Sequence, residues 1–351
     1  MMLLTKVRLF ISNSKVLAKG SILLKIILFL FFFIVFEAMI GSLLEPPERS
    51  YNDFDPRIRW KEFYNQKNID IVFLGSSHAY RSFDPENFDM KLKCNTFNLG
   101  SSNQSAIESY FALKETLRCY KPKLIVLENY WVLYEKYESF NAATCIYDYL
   151  KNSPVKFDML INAFTPDQYL KAIFLSVRYH NNYKDIQIIK ENVANKIVDK
   201  DQLTTKKSKT EEVYKAKGYV ANKNVATFKQ LNEENFFKNN APGEWDEKRF
   251  LYLNKIIKLC KEKNVPLVLI TAPLPPTTMK IVKNYDIIHK KFNDIANQYN
   301  IDYIDYNLIN RDLEFLSDKD FKDDHHLNVE GANIMNQHLV NILRDVLQKK
   351  K

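Results

Sequence analysis

The fold is indicated by one stretch, Ile69-Asp70-Ile71-Val72-Phe73-Leu74-Gly75-Ser76-Ser77, in which an apolar run ends in a glycine and two serines. A short apolar run of this kind is typical of a buried strand. Four further runs follow it: Thr96–Leu99, Leu124–Leu127, Pro266–Ile270 and Ile301–Tyr306. Stretches with helical spacing separate these runs, among them Ser105–Arg118, Asp246–Lys263 and Thr278–Tyr299. Strands joined by helices pair in parallel and are covered on both faces. We therefore predict a doubly wound α/β fold.

The alternation of strands and helices is interrupted after the third strand. Residues 131–245 are aromatic and polar, contain the lysine-rich run Lys206–Lys217, and show candidate helices without a clear strand. We interpret about residues 131–245 as an inserted cap region within an α/β domain that spans residues 65–351.

A membrane anchor is predicted at residues 22–44, which are long and apolar enough to cross a bilayer. The first 25 residues contain five basic residues and no acidic residue, and they supply more than half of the formal net charge of +9. No small-residue cleavage pattern precedes Glu45, so we predict an uncleaved anchor. The positive-inside rule places residues 1–21 in the cytoplasm. The domain that follows the linker, residues 45–64, is then extracytoplasmic on a single-pass protein of the cell membrane.

The composition excludes several classes of protein. With 46% hydrophobic and 26% charged residues over 351 positions, the chain is neither collagen-like nor wholly disordered, and 4 cysteines do not make a disulfide-dense miniprotein. Because much of the positive charge flanks the predicted anchor, no nucleic-acid partner is predicted.

Glu37 and the cysteines leave alternatives open. Glu37 lies inside the predicted span, where a carboxylate is costly. It either lies near the outer interface or is protonated, or it contacts a membrane-embedded partner. The cysteines all lie in the exported part, where disulfides can form, and free thiols are the alternative. They are Cys94, Cys119, Cys145 and Cys260.

Chemistry-bearing residues follow the predicted strands, at the edge of the sheet where ligands bind in open α/β folds. The strand ends lead into Gly75-Ser76-Ser77-His78, Asn98-Leu99-Gly100-Ser101, Glu128-Asn129-Tyr130 and Thr271-Ala272-Pro273, and the loop after the fifth strand leads to Asp323-Asp324-His325-His326. A hydroxyl, a glycine, an amide and an Asp/His pair at one edge are the groups that acyl transfer requires.

The residues at this edge can be assigned roles. Ser77 is the predicted nucleophile, because a serine at a helix start after a strand-end glycine presents its hydroxyl to the crevice. The spacing of Asp323 and His326 lets the carboxylate contact Nδ1 and leaves Nε2 as the general base. Gly100 and Asn129 are the candidate oxyanion donors. The alternatives are a helix cap at Ser76 or Ser77, a solvated loop with a helix cap at Asp323 and His326, a turn at Gly100 and a strand cap at Asn129.

His78 and Arg81 are candidates for lining the substrate, and the alternatives are packing beside the site for His78 and a surface role for Arg81. A metal-dependent phosphoesterase would use the acidic and histidine cluster of the last loop. No second cluster of that kind stands at a strand end, so we predict no metal and no cofactor.

Three blocks of the sequence resemble the SGNH (GDSL-like) hydrolase superfamily. They are Phe73-Leu74-Gly75-Ser76-Ser77, Asn98-Leu99-Gly100 and Asp323-x-x-His326-Leu327-Asn328. The resemblance covers about residues 69–128 and 246–348. It implies a flavodoxin-like, three-layer α/β/α sandwich with a parallel sheet.

The resemblance also implies functional roles, with Ser77 as nucleophile, Gly100 as oxyanion donor, His326 as base and Asp323 as its orienting acid. Two features depart from the family pattern. Ser76 stands where the first block usually has an aspartate. The Gly-x-Asn-Asp of the third block is absent, and residues 128–129 are a shifted substitute for it.

A single anchor with an exported domain is similar to one branch of that superfamily, the proteins of envelope O-acetylation and teichoic-acid D-alanylation. The resemblance implies a membrane-bound O-acyltransferase partner and an envelope polysaccharide substrate. We therefore predict a membrane-anchored serine esterase or O-acyltransferase. The alternative is a non-catalytic glycan-binding or scaffold subunit of an acyltransferase system.

Overall fold

The structure is a computed structural model that describes residues 2–46, 56–135, 140–197, 211–233 and 242–348. Its strands are β1 (Ile71–Leu74), β2 (Thr96–Asn98), β3 (Leu124–Glu128), β4 (Val213–Tyr214), β5 (Val220–Ala221), β6 (Leu267–Thr271) and β7 (Asp302–Asp305). The helices up to β3 are α1 (Met2–Leu44), α2 (Pro56–Tyr64), α3 (Ser77–Ser82), α4 (Pro85–Leu92) and α5 (Ala106–Cys119). Between β3 and β6 lie α6 (Phe140–Tyr147), α7 (Pro154–Ala163), α8 (Tyr169–Ile173), α9 (Leu175–Arg178), α10 (Ile186–Ile197), α11 (Phe228–Glu233) and α12 (Glu247–Glu262). The last helices are α13 (Pro276–Met279), α14 (Tyr285–Tyr299), α15 (Tyr306–Leu313) and α16 (Val329–Gln348).

Five strands form one parallel sheet in the order β2-β1-β3-β6-β7. Val72 of β1 pairs with Phe97 on one side and with Ile125 on the other. Val268 of β6 pairs with Val126 and with Asp302. Counted within this sheet, the order is 2-1-3-4-5, which is the flavodoxin-like order. The predicted fold class is confirmed.

Helices cover both faces of the sheet. On one face, Phe73 and Val126 belong to a buried cluster with Phe83 beside α3 and Met335 of α16. Alternate residues of the same strands, such as Val72, point to the opposite face and are also fully buried. On that face α5 packs against β1 and α12. The molecule therefore has the three layers α/β/α around the sheet.

The described chain divides into two compact units. One comprises residues 1–47 with residues 166–203, and the other comprises residues 48–165 with residues 204–351. The first unit contains α1, whose segment Ser21–Leu44 is long and apolar enough to cross a membrane. The second unit contains the whole sheet.

Three segments differ from what the sequence pattern predicts. The expected linker, residues 45–64, includes helix α2, in which Arg59, Trp60 and Phe63 are buried. The expected cap, residues 131–245, divides between the two units and contains the antiparallel pair β4–β5. The expected helix over residues 278–299 is broken before α14, because Asn284 adopts a left-handed conformation with φ of 54°.

The cysteines are free thiols, which resolves the alternatives left open by the sequence. Cys145 and Cys260 are buried, whereas Cys94 and Cys119 are partly exposed. Residues 206–210 of the lysine-rich run lie outside the described residues.

Candidate active site

The turn after β1 places Ser77 at the first position of α3. Gly75 in this turn has φ of 137°, which residues with a side chain rarely adopt. A Cβ on Gly75 would also lie 2.7 Å from the Cβ of Glu128. Ser76 caps α3, since its Oγ accepts the N–H of His78 at 3.1 Å. The strand, the glycine and the cap together fix where the Ser77 hydroxyl lies.

Glu128 supports this turn from the end of β3, a role that the sequence analysis missed. Its Oε2 accepts the backbone N–H of Ser76 at 2.9 Å and the Ser76 hydroxyl at 2.7 Å. Its Oε1 is buried and has no hydrogen-bond partner among the described residues. Burial raises the pKa of Glu128 to about 7, although the two bonds from Ser76 act in the opposite direction. The turn that carries Ser77 is therefore held by hydrogen bonds to a carboxyl group whose pKa lies near neutral pH.

The structure brings Ser77, His326 and Asp323 into one hydrogen-bonded row. Ser77 Oγ lies 2.7 Å from His326 Nε2. His326 Nδ1 lies 2.9 Å from Asp323 Oδ2 and 3.1 Å from Oδ1. The backbone N–H of His326 also donates to Asp323 Oδ1 at 2.7 Å, so one carboxylate orients both the ring and the turn that carries it. In this geometry the imidazole can accept the proton of the serine hydroxyl.

The electrostatic environment favours a neutral imidazole beside an ionised carboxylate. Burial lowers the pKa of His326 well below its ordinary value, and the neighbouring His325 adds to this effect. Burial by itself would raise the pKa of Asp323, but the contact with His326, together with His325 and Lys322, lowers it below its usual range. A neutral His326 is the protonation state that a general base requires.

Gly100 is placed differently from its predicted role. Its N–H donates to Asn98 Oδ1 at 2.9 Å, and its carbonyl oxygen accepts from the guanidinium of Arg59. A Cβ on Gly100 would lie 2.8 Å from the Cβ of Ala79 in α3. Glycine is therefore required here by the close approach of α3, whereas the N–H that was predicted to meet an oxyanion is bonded to a side chain.

Asn98 is a positioning residue that the sequence analysis did not single out. Besides accepting from Gly100, its Nδ2 donates to the carbonyl oxygens of Ala79 at 2.8 Å and Phe83 at 2.9 Å. These bonds fix α3, and with it Ser77, against the end of β2.

Asn129 has a free donor at the carboxyl end of β3. Its Oδ1 accepts the hydroxyl of Tyr134 at 2.6 Å, which orients the amide group. Its Nδ2 is buried and has no hydrogen-bond partner in the described part of the chain. A buried donor without an acceptor is costly, and a site that stabilises a developing oxyanion keeps such a donor.

His78 lies beside His326, with 4.9 Å between their ring centroids, and it packs on Tyr130 at 4.1 Å. Burial lowers the pKa of His78 well below its ordinary value, and its Nε2 has no partner among the described residues. This position agrees with packing beside the site, the alternative to substrate lining that the sequence left open for His78.

Arg81 is not the surface residue that one of its two predicted roles required. It is buried, and its Nη1 donates to Glu212 Oε2 at 2.5 Å. Glu212 also accepts from Lys322 at 2.8 Å and from Asn222 at 2.8 Å. The prediction that Arg81 contacts substrate is corrected by this ion pair, because its charge is neutralised inside the protein.

Two groups of residues have potential metal-ligand atoms within 4.8 Å of one another, His78 with His325 and His326, and Asp323 with Asp324 and His325. In the first group both ring nitrogens of His326 already hold hydrogen bonds, to Ser77 and to Asp323. A metal ion at that position would therefore displace one of the two partners.

Sequence comparisons with known proteins do not identify a function for this site. A family model that carries no functional description matches residues 182–348, slightly less than half of the chain. No curated protein matches the sequence.

Several solved structures resemble the chain weakly. A proposed acylhydrolase from Bacteroides fragilis is 12% identical, with a TM-score of 0.36, and the match covers 80% of this chain and 90% of that one. A GDSL-like lipase from Bacteroides thetaiotaomicron is 11% identical, with a TM-score of 0.36 and coverage of 80% and 89%. A proposed GDSL-like lipase from Parabacteroides merdae is 10% identical, with a TM-score of 0.38 and coverage of 80% and 97%. Similarity this low does not indicate an activity. The fold is therefore assigned from the strand order of the sheet, and the candidate site from the distances between its side chains.

Proposed function

We propose that the protein is a membrane-anchored serine esterase or O-acyltransferase that acts on an envelope glycan or a similar ester. The observation that supports this most strongly is the row formed by Ser77, His326 and Asp323, with 2.7 Å from the hydroxyl to the imidazole and 2.9 Å from the imidazole to the carboxylate. A surface serine or a simple helix cap does not require an oriented, neutral imidazole at its hydroxyl.

In the proposed mechanism His326 Nε2 takes the hydroxyl proton while Ser77 Oγ attacks the carbonyl carbon of the acyl group. The resulting imidazolium is stabilised by the Asp323 carboxylate. It then returns the proton to the departing alcohol oxygen, which leaves an acyl group on Ser77. Water gives hydrolysis and a sugar hydroxyl gives transfer, with His326 again accepting the proton.

The oxyanion of the tetrahedral intermediate needs donors other than Gly100. We assign this role to the backbone N–H of Ser77 and to Asn129 Nδ2. Ser77 is the first residue of α3, where a backbone N–H has no intrahelical acceptor. Asn129 carries the buried, unpartnered amide described above. Two such donors are sufficient for an oxyanion hole.

The proposed setting is the outer face of the cell membrane. The basic N-terminal residues favour a cytoplasmic N-terminus, which leaves the α/β unit outside. The proposed partners are a membrane-bound O-acyltransferase that supplies acyl groups and an envelope polysaccharide that receives or loses them.

A scaffold without catalysis is the second candidate function. It is favoured by the engagement of the Gly100 N–H with Asn98, which removes one expected oxyanion donor. Hydrolysis of p-nitrophenyl acetate by the purified full chain separates the two candidates. For an enzyme we expect Ser77→Ala to lower kcat/KM by roughly 10⁴ or more.

The matched control for this assay is Ser105→Ala. Ser105 caps α5 within the same unit, and its hydroxyl donates to Glu108 Oε2 at 2.6 Å. Equal activity of the Ser77 and Ser105 variants would contradict the esterase assignment and favour the scaffold.

A further inference from the structure

Residues 166–197 form a compact unit with α1, not with the sheet. The ring of Phe174 packs edge-on against that of Phe33, with 5.7 Å between their centroids. Nearer the end of the span, Asn182 Nδ2 donates to the carbonyl oxygen of Leu44 at 2.9 Å. Asn192 Nδ2 donates at 2.7 Å to that of Leu43. The contacts thus follow the C-terminal half of the apolar helix.

The position of these contacts along α1 gives their depth. A helix rises about 1.5 Å per residue, so Phe33 lies roughly 16 Å below Leu44. The hydrocarbon core of a bilayer is about 30 Å thick. When Ser21–Leu44 crosses a membrane, the ring of Phe174 therefore extends toward the middle of the bilayer, while Leu175 lies beside Gly41, nearer the end of the span.

The backbone around Phe174 has the internal partners that a lipid environment demands. Glu37 accepts the backbone N–H of Ser176 at 3.0 Å and also the Ser176 hydroxyl. Arg178 donates to the carbonyl oxygens of Lys171 at 2.8 Å and Ala172 at 2.9 Å. Polar groups at the turn between α8 and α9 are thus satisfied by side chains. Glu37, whose partner was left open by the sequence, has that partner within its own chain.

The outward side of the same segment is apolar. Leu170 is 59% exposed and Ile173 is 47% exposed. Val177 is also exposed. From Tyr169 to Arg178 the charged residues are Lys171, whose long side chain can extend toward the interface, and Arg178, whose guanidinium donates to backbone carbonyl oxygens of the same segment. These residues share exposed apolar side chains with α1, so acyl chains suit them better than water.

We infer that residues 169–178 enter the bilayer beside the C-terminal half of α1 as a re-entrant hairpin, with lipid acyl chains covering Leu170, Ile173 and Val177. The inference rests on the membrane anchor of the proposed function. It also explains Glu37 as a positioning residue that fixes the hairpin to the span.

The test uses the full chain in lipid nanodiscs, with Cys94→Ser and Cys119→Ser removing the partly exposed thiols. A single cysteine is then introduced by Ile173→Cys, by Phe29→Cys within the span, or by Met90→Cys in the α/β unit. Each is labelled with the fluorophore NBD. We expect lipids brominated along the acyl chain to quench the labels at positions 29 and 173, while aqueous iodide quenches only the label at position 90.

The outcomes separate the hairpin from the anchor. Bromine quenching at position 29 with iodide quenching at position 173 would overturn the hairpin and leave the anchor intact. Loss of bromine quenching at both positions would overturn the anchor and the hairpin together. Shielding of position 173 from both quenchers would identify a protein partner as the cover and would also overturn the inference.

A pair of variants at Glu37 tests its positioning role. In the Ile173→Cys background, Glu37→Ala should lose bromine quenching and gain iodide quenching, because Ser176 loses its acceptor. Glu37→Gln keeps an oxygen acceptor and should retain the original quenching. Unchanged quenching in Glu37→Ala would contradict the role assigned to Glu37.

Discussion

Ser76 and Ser77 are adjacent hydroxyl residues with different surroundings. The hydroxyl of Ser76 donates to Glu128 and accepts the N–H of His78, so it serves the turn and the helix start. The hydroxyl of Ser77 is bonded to His326. One residue therefore positions the site, and its neighbour is the group proposed to react.

The first prediction concerns the pH dependence of activity. Because burial lowers the pKa of His326 well below its ordinary value of 6.5, the imidazole remains a competent base in mildly acidic solution. We expect kcat/KM for p-nitrophenyl acetate to stay level from pH 8 to pH 6.5 and to decline only at lower pH. A half-maximal rate above pH 6.5 would contradict the neutral state assigned to His326.

The second prediction concerns stability. The pKa of Glu128 is raised in the folded chain to about 7, so between pH 4.5 and 7 the folded state binds more protons than the unfolded state. The free energy of unfolding must then fall as the pH rises through this range, by about 3 kcal/mol for this one group.

Glu128→Gln removes the titration and should flatten this decline. The measurement is thermal unfolding of the full chain and the variant in detergent at pH 5 and pH 7.5. The variant should gain stability relative to the natural chain at the higher pH. A constant difference between the two proteins at both pH values would contradict the buried, titrating carboxyl.

At the scale of elements, the pair β4–β5 connects the two halves of the candidate site. Glu212, just before β4, accepts from Arg81 of α3 and from Lys322, which neighbours Asp323. The N–H of Val329 donates to the carbonyl oxygen of Asn222 at 2.8 Å, next to β5. The inserted strands thus contact both the helix of the nucleophile and the loop of the base.

The third prediction removes this connection. Glu212→Gln removes the carboxylate that the buried guanidinium of Arg81 shares with the partly buried ammonium of Lys322, and breaking such a buried ion pair costs on the order of 3–5 kcal/mol. We expect a lower unfolding temperature and a reduced kcat for the ester. Glu211→Gln is the matched control, since Glu211 is exposed and should change neither quantity. Equal behaviour of the two variants would contradict the coupling.

Local sequence predicted the central strands β1, β3 and β6 because each is a short, fully buried run that is mainly apolar, and it predicted the edge strands β2 and β7 from runs in which polar and apolar residues mix. It also indicated the positions of Ser77, Asp323 and His326, since the carboxyl ends of parallel strands meet at one edge. Local sequence could not assign Arg81, because its partner Glu212 lies 131 residues away. Gly100 was assigned incorrectly for a different reason. The acceptor of its N–H, Asn98 Oδ1, is only two residues away, but local sequence does not determine the rotamer of that side chain.

At the scale of the whole molecule, α1 is also a packing element. Residues 166–197 contact it through Glu37, Leu43 and Leu44. A cleaved signal sequence would remove these contacts, so the packing favours a retained anchor.

The fourth prediction follows from that packing. After expression, the full chain should remain in the membrane fraction after an alkaline carbonate wash, and mass spectrometry should find its N-terminal residues intact. Recovery of a soluble chain that begins after residue 44 would contradict the anchor and would identify α1 as a signal sequence.

The central claim is that Ser77 is a nucleophile activated by His326. The most direct measurement is reaction of the full chain with a fluorophosphonate, followed by peptide mapping of the adduct. The account predicts one phosphonylated residue, Ser77, with labelling abolished in Ser77→Ala and strongly slowed in His326→Gln. An unlabelled natural chain, or an adduct that persists in Ser77→Ala, would contradict it.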